Sequence, residues 1–264
     1  MAICRIIHVP SFIYIKNILK TSIALARVNF KIQNEGTYLG SLWYILNPLL
    51  LYALLLFVFS NILGSAIPAY PLYLLIGVII FNLFRHTTIE SSDAIYQNRG
   101  LIKSLSFPRE ILILSIILKN LFNHLFEIAI LFVFLPVFGI SIFHIAGYFL
   151  FLILFIPYIY GTSLFLASVR TRIFDLTNIW IFFSQLLWFA TPIFYTIPKD
   201  AILLHFMNML NPLFYFTETG RSILIYGGLP DAQIISGALA SSFLFLFFGV
   251  FIYKKLSPRF SEIF

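Results

Sequence analysis

Four polar residues share one face of an otherwise apolar stretch in the middle of the chain. They recur at i, i+3, i+4 and i+7, and the set is Asn120, Asn123, His124 and Glu127, with Lys119 beside it. Inside a membrane, ionisable side chains are by default functional candidates, here for a proton relay or a polar conduit. The same groups also hydrogen-bond neighbouring helices together, and of the two interpretations we favour helix packing.

No short motif of a common active site is present. The sequence has no GxxxxGK[ST] phosphate loop, no HExxH and no GxSxG. Its single cysteine, Cys4, excludes an intrachain disulfide and a CxxC metal site. The sequence therefore predicts neither a catalytic site nor a metal site within the chain.

A second candidate is the basic, proline-interrupted segment from Leu101 to Glu110, which lies between two long apolar runs. Its apolar residues recur at about one-turn spacing, which predicts a short amphipathic helix that ends at Pro108. Such a helix has an apolar face that can dock and a charged face that can meet a partner. An interfacial loop whose Lys103 and Arg109 only fix the orientation of the chain is the alternative.

The composition defines the class of protein that must position these residues. The 264 residues are 61% hydrophobic and only 10% charged, with a mean hydropathy of +0.98. Because a soluble domain has about a quarter of its residues charged, we predict an all-α integral membrane protein. The net charge of +7 fits cytoplasmic loops that obey the positive-inside rule, and no nucleic-acid partner is predicted.

Six apolar runs are long enough to cross the hydrocarbon core, which takes about 20 helical residues. They are residues 42–63, 71–88, 111–135, 145–169, 176–197 and 234–253. Residues 198–231 are apolar but are broken by Asn211-Pro212 and Gly227-Gly228, which predicts short re-entrant helices on the outer side. The chain, residues 1–264, is then a single transmembrane domain.

Residues 1–41 predict an amphipathic helix at the cytoplasmic interface. Its basic residues, Lys16, Lys20, Arg27 and Lys31, fall within about 60° of one another on a helix, beside an apolar stripe. A signal peptide is the alternative, because Ala24-Leu25-Ala26 resembles a cleavage site, but two of the lysines would interrupt its hydrophobic region.

The positive charges predict the orientation. With the N-terminus inside, 14 of the 17 lysines and arginines lie in cytoplasmic segments. Lys199 and Arg221 lie outside, and Lys119 lies within the third span. The positive-inside rule therefore predicts six spans with both termini in the cytoplasm, and it places residues 90–110 on the cytoplasmic side.

Several stretches resemble the type-2 ATP-binding-cassette (ABC) permeases, in particular those that export O-antigen, capsule or teichoic acid. Residues 26–50, ARVNFKIQNEGTYLGSLWYILNPLL, look like the start of the family's first span. Residues 101–110, 170–175 (RTRIFD), 191–195 (TPIFY) and 210–221 (LNPL with Glu218 and Arg221) resemble further landmarks, in the family's order. Two stretches depart from the pattern: Gln33-Asn34-Glu35 replaces a basic-aromatic pair, and two apolar residues separate Arg172 from Asp175.

The resemblance implies a permease that forms a homodimer and binds two copies of a separate ABC ATPase. That partner would carry ATP and Mg²⁺, so no cofactor is expected in this chain. The implied cargo is a lipid-linked polysaccharide, moved across the inner membrane of a bacterium or archaeon. The residues implied to couple to the ATPase are Leu101, Ile102, Lys103, Leu105, Phe107, Pro108 and Arg109.

The fifth span carries a stripe of rings and hydroxyls that could form the path of such a glycan. At helical spacing, one face presents Trp180, Ser184, Trp188, Thr191 and Tyr195. Aromatic rings stack on the apolar faces of sugars, and the hydroxyls supply hydrogen bonds between them. As the alternative, the end residues belong to the aromatic belt, and Trp188 packs between the two copies of the chain.

Two other functions share this hydropathy. The same permease architecture exports drugs or other lipids. An integral membrane enzyme that acts on lipid-linked sugars would instead cluster carboxylates or histidines at one membrane face. The outer segments here offer only widely spaced groups, namely Asp200, His205, Glu218 and Asp231.

Overall fold

The computed structural model describes residues 11–35, 38, 40–63, 67–104, 107–198 and 200–260, and these residues form a helical bundle without strands. The helices of this described part are α1 (Ser11–Asn34), α2 (Trp43–Leu63), α3 (Tyr70–Gln97), α4 (Arg99–Ser104), α5 (Glu110–Val137), α6 (His144–Arg170), α7 (Leu176–Ala190), α8 (Ile202–Met209), α9 (Pro212–Tyr226) and α10 (Ala232–Leu256). Two single 3₁₀ turns, Gly40–Leu42 and Ser257–Arg259, precede α2 and follow α10.

Helix α3 is the centre of the bundle. It packs against α2, α5, α6, α7 and α9, and its residues from Leu72 to Phe84 are all buried. A helix that is apolar on every side suits a position among other helices or in lipid. The sequence of α3 is therefore compatible with its central position, which its neighbours in the bundle provide.

Within the described residues, four helices are long and apolar enough to cross a membrane: α3, α5, α6 and α10. Two apolar stretches are shorter, Ile45–Ser60 in α2 and Leu176–Ala190 in α7. The predicted fifth span was to end at Ile197, whereas α7 ends at Ala190. Pro192 explains the early end, because the residue before a proline is disfavoured in the helical conformation and Thr191 is extended.

The other predicted boundaries lie close to the helix ends, with one exception. Helix α3 continues nine residues beyond Thr88, to Gln97, and the hydroxyls of Thr88 and Ser92 bond to carbonyls of their own helix there. The first eight residues of the segment predicted at residues 90–110 are thus an extension of α3. The short helices predicted within residues 198–231 correspond to α8 and α9.

Helices α6 and α10 pack at backbone distance. A Cβ on Gly161 would lie 2.2 Å from the carbonyl oxygen of Phe245, and one on Gly249 would lie 2.0 Å from the oxygen of Gly161. Small residues permit this approach, which is a common basis of helix association in lipid. The opposite side of α10 is exposed, including Phe243, Phe247 and Phe251.

Helix α1 lies along α5. Ser22 and Ala26 are buried in this contact, and the ring of Phe30 packs edge-on against Phe122 with centroids 5.6 Å apart. The four basic residues of α1, Lys16, Lys20, Arg27 and Lys31, are exposed. The helix therefore has one packed side and one charged side; residues 1–10 of the predicted N-terminal segment lie outside the described residues.

Candidate functional site

A polar cavity of about 350 Å³ lies between α2, α3 and α5. Helices α2 and α3 contribute Trp43, Asn47, Pro48, Leu51, Asn82, Leu83, Arg85, His86, Ile89 and Glu90, and Gln33 of α1 also borders the cavity. Helix α5 contributes all four residues of the predicted polar face: Asn120, Asn123, His124 and Glu127. The structure thus brings that face together with polar residues of two other helices.

The carboxylate of Glu90 joins α3 to α5. One of its oxygens pairs with the ammonium of Lys119, and the other accepts a hydrogen bond of 2.7 Å from the amide of Asn120. Lys119 is 5% exposed, so its charge needs such a partner. The pair explains how a lysine is accommodated within α5.

His124 and Glu127 form a second network on the same face. The His124 Nδ1 atom lies 2.6 Å from a Glu127 oxygen, and its Nε2 atom lies 2.9 Å from the hydroxyl of Tyr148 on α6. His124 is 1% exposed, whereas the Glu127 side chain keeps 12% of its surface. The bond to Tyr148 joins α5 to α6, as expected for helix packing, and the bond to Glu127 within α5 holds a carboxylate at the cavity wall.

The residues that face α5 across the cavity were not singled out from the sequence. Asn82, His86 and Glu90 follow one another at four-residue spacing on α3, and Trp43 and Asn47 do so on α2. That spacing was the available signal. The four-residue spacing is hard to recognise at Glu90, because a stretch rich in polar residues begins there and Glu90 does not stand out from it.

The predicted coupling segment divides into an exposed part and a packed part. Leu101 and Lys103 on α4 are exposed, whereas Ile102 is 6% exposed and belongs to a core with Ile95 and Leu112. Phe107 is half-buried against the same core. Arg109 donates to the carbonyl of Ser257 and lies over the ring of Phe260, 5.6 Å from its centroid.

Helix α4 ends at Ser104, and Phe107 and Pro108 are non-helical. The prediction of one helix extending to Pro108 was therefore too long, because Pro108 disfavours helical backbone in the residue before it. Leu105 of the predicted coupling set lies outside the described residues.

The first three residues of the predicted ring-and-hydroxyl stripe lie on α7, on its side towards α3. Thr191 and Tyr195 follow the end of the helix at Ala190, so the predicted helical face stops before them. The Trp180 indole donates to the Thr88 hydroxyl at 3.0 Å, and the Trp188 ring packs edge-on against Phe81, with centroids 4.9 Å apart. Trp188 is 6% exposed, and Ser184 and Thr191 are fully buried. Tyr195 is half-buried and donates to the carbonyl of Phe189 at 3.1 Å. Its role as a glycan path stays a prediction.

Buried hydrogen bonds fasten the segment after α7. The Thr191 hydroxyl accepts a bond of 2.8 Å from the Asn211 amide, and the Asn211 side-chain oxygen caps α9 by accepting from the Leu213 N–H. Arg221 on α9 is 2% exposed. Its guanidinium donates to the Ile193 carbonyl at 2.8 Å and to Glu218 at 2.7 Å.

The turn after α6 is held by Arg170. Its Nε donates to Asp93 on α3 at 2.9 Å, and the same Asp93 oxygen accepts from the Thr177 hydroxyl of α7 at 2.9 Å. Arg172 and Asp175, where the sequence departs from the family pattern, form no ion pair within the described residues. The ion pair at this turn is therefore formed by Arg170, and its partner Asp93 lies on α3.

The described chain thus combines helices long and apolar enough to cross a membrane with a charge-paired polar cavity between them. Residues 22–225 match the ABC-2 type transporter family, and the chain belongs to that family. The predicted resemblance to type-2 ABC permeases is confirmed. The chain is thus a transporter component and not an enzyme.

Two relatives sharpen the comparison. The chain is 24% identical to the O-antigen export system permease protein RfbA of Myxococcus xanthus over 243 residues, which cover 91% of this chain and 94% of that protein. It is 26% identical to the protein of the same name from Klebsiella pneumoniae, over 91% of this chain and 93% of the other.

Proposed function

We propose that this chain is the permease subunit of an ATP-driven exporter of lipid-linked polysaccharide. The observation that carries the proposal is its similarity to two O-antigen export permeases along more than nine-tenths of each chain. A match of that extent supports the proposal because it covers most of the helical bundle rather than a single motif. Export of drugs or other lipids by the same architecture is the alternative.

The proposed arrangement has six spans, formed by α2, α3, α5, α6, α7 and α10, with both termini in the cytoplasm. The charge distribution supports it, since the exposed lysines of α1 and Lys254 and Lys255 at the end of α10 all lie at predicted cytoplasmic ends. In this arrangement α1 lies at the inner surface of the membrane, where its basic side can meet anionic lipid headgroups.

The energy source in this proposal is a separate ABC ATPase, which binds ATP and Mg²⁺. Two permease chains would pair in the inner membrane and bind two such subunits through α4. The exposed side chains of Leu101 and Lys103 support this contact because they leave α4 an apolar and a positive group to offer. Motion of α4 would reach the bundle through Ile102, whose side chain is packed in the core.

The path of the glycan in this proposal follows the α7 stripe. Conformational change would have to separate α7 from α3, because Trp188 and Ser184 face α3 in the single chain. Their exposure in an open state of the dimer is therefore part of the proposal.

Deletion of the gene tests the proposed function. We expect loss of surface polysaccharide together with accumulation of the lipid-linked glycan inside the cell, and both should be reversed by the wild-type gene. Surface polysaccharide that is unchanged, with altered drug resistance or lipid export, would support the alternative. Loss of the surface glycan without internal accumulation would mean a step in synthesis and would contradict the proposal.

A further inference from the structure

We propose that the polar cavity between α2, α3 and α5 binds one neutral sugar unit of the exported glycan. The sugar would be held by the amides of Asn82 and Asn123 and the carboxylate of Glu127, with the Trp43 ring against its apolar face. The inference rests on the proposed function, from which it takes the cargo, and it adds a recognition site within each protomer.

Two side chains of the cavity wall carry polar groups that have no partner in the described chain. Asn82 is 7% exposed, borders the cavity and makes no hydrogen bond to the described residues. The side-chain oxygen of Asn123 is likewise buried and unpaired there. Buried amides nearly always have hydrogen-bond partners, since an unmade bond is costly. Asn82 therefore marks a place where hydroxyls of a ligand or water would bond, and the half-buried Asn123 borders the same space.

The carboxylates of the wall are held in place before a ligand arrives. Glu90 is fixed by Lys119 and Asn120. Glu127 is fixed through one oxygen by His124. The second Glu127 oxygen has no partner within the described residues, so it can accept a hydroxyl. A preorganised acceptor loses little entropy on binding.

The charges of the wall favour a neutral ligand. Among the described side chains that border the cavity, Arg85 is the one fixed cation, whereas Glu90 and Glu127 are two carboxylates. The two carboxylates would repel a phosphate. Arg85 would repel an organic cation, and so would Lys119, which is paired with Glu90 next to the cavity. Hydroxyl groups both donate and accept hydrogen bonds, so a sugar can use the amides and the carboxylates together.

The size and the ring of the site also fit a sugar. At about 350 Å³, the cavity lies at the lower end of the range of about 300–1,000 Å³ typical of small-molecule sites. Trp43 borders it and is 42% exposed, which leaves part of the indole surface open to a ligand. Glu90 is seven residues from the end of α3, or about 10 Å at the helical rise, so the cavity lies towards the side of the bundle that carries α4.

Saturation-transfer NMR on the permease–ATPase complex in lipid nanodiscs tests the site. The probes are methyl glucoside, galactoside, mannoside and rhamnoside, the methyl glycoside of any further sugar in the cell's surface polysaccharide, and inorganic phosphate as the anion. We expect saturable binding of at least one glycoside at millimolar concentration and no displacement by phosphate. Asn82→Leu should weaken binding by about tenfold, because the unpaired amide is lost.

Matched variants separate binding from folding. Asn17→Leu replaces an exposed amide on α1 and should leave glycoside binding unchanged. Trp43→Phe should retain most of the binding that Trp43→Ala loses. The unfolding temperature and the amount of bound ATPase are recorded for each variant, and Glu127→Gln serves as a second test if Asn82→Leu does not fold.

Three results would overturn the inference: no saturable binding of any glycoside, binding that the folded cavity variants leave unchanged, or displacement of the glycoside by phosphate. The deletion experiment is independent of these results. If deletion blocks polysaccharide export and no glycoside binds, only the cavity site is wrong. If deletion leaves export intact, the proposed function itself is wrong.

Discussion

The guanidinium carbon of Arg221 lies 3.4 Å from the centroid of the Tyr73 ring, and the Arg221 Nε donates to the Tyr73 carbonyl oxygen at 3.3 Å. The contact joins α9 to the central helix α3. Gly77 makes it possible, because a Cβ there would lie 2.7 Å from the Arg221 Nη2 atom. The Arg221 side chain, a buried cation, therefore fixes α9 to the core.

Replacing Arg221 by methionine should destabilise the protein by about 3 kcal/mol, since loss of one partner of a buried charged network leaves the others unpaired. The unpaired groups would be Glu218 and the Ile193 carbonyl. The stability of Arg221→Lys should lie between that of the wild type and that of Arg221→Met, because an ammonium restores the charge but not the planar set of donors. The measurement is the unfolding midpoint in detergent, with the exposed Arg172→Met as control. Equal stability of Arg221→Met and Arg172→Met would contradict this account.

The positions of most long helices were predictable, because the length of an apolar run in the sequence is close to the length of the helix it forms. The polar face of α5 was also predictable from its spacing, but its partners were not. Glu90 pairs with Lys119 across 29 positions of sequence, and no local pattern specifies that contact. The predicted end of α7 lay too far along the chain. The apolar run extends past Pro192, but the helical backbone ends before that proline.

Cysteine labelling checks the topology, in a Cys4→Ser background. We expect reagents outside the cell to label Ser141→Cys and Asp231→Cys, and to label Ser104→Cys and Asn17→Cys only after the membrane is opened. These four positions are exposed in the structure. Asp231 is decisive, because it is outside only if α7 crosses the membrane after Arg170. Protection of Asp231→Cys from external reagent would rule out the six-span arrangement.

Leu101→Asp should reduce the amount of ATPase that copurifies with the permease. The side chain is 44% exposed, so the substitution removes a docking contact without disturbing the core. Leu229→Asp is the matched control, because Leu229 is 81% exposed in the segment between α9 and α10. Ile102→Asp should instead lower stability, since Ile102 is in the core. If Leu101→Asp binds the ATPase normally, α4 is not the docking site, and the segment only fixes the orientation of the chain in the membrane.

Trp188 separates the glycan-path prediction from simple packing. Trp188→Ala removes a ring packed on Phe81 and should cost about 3–5 kcal/mol of stability on either account. On the path account, export per assembled transporter also falls severely, and Trp188→Phe largely restores it. The measurement is surface polysaccharide normalised to the copurified complex. Unchanged export per complex in Trp188→Ala would remove the proposed path.

The central claim is tested most directly by transport in proteoliposomes that contain the purified permease and its ATPase. Lipid-linked glycan is placed in the outer leaflet, ATP and Mg²⁺ are added outside, and protection of the glycan from an added glycosidase is followed with time. We predict protection that requires ATP, is lost with Leu101→Asp and persists with Leu229→Asp. An assembled, ATP-hydrolysing complex that leaves the glycan equally accessible with and without ATP would contradict the account.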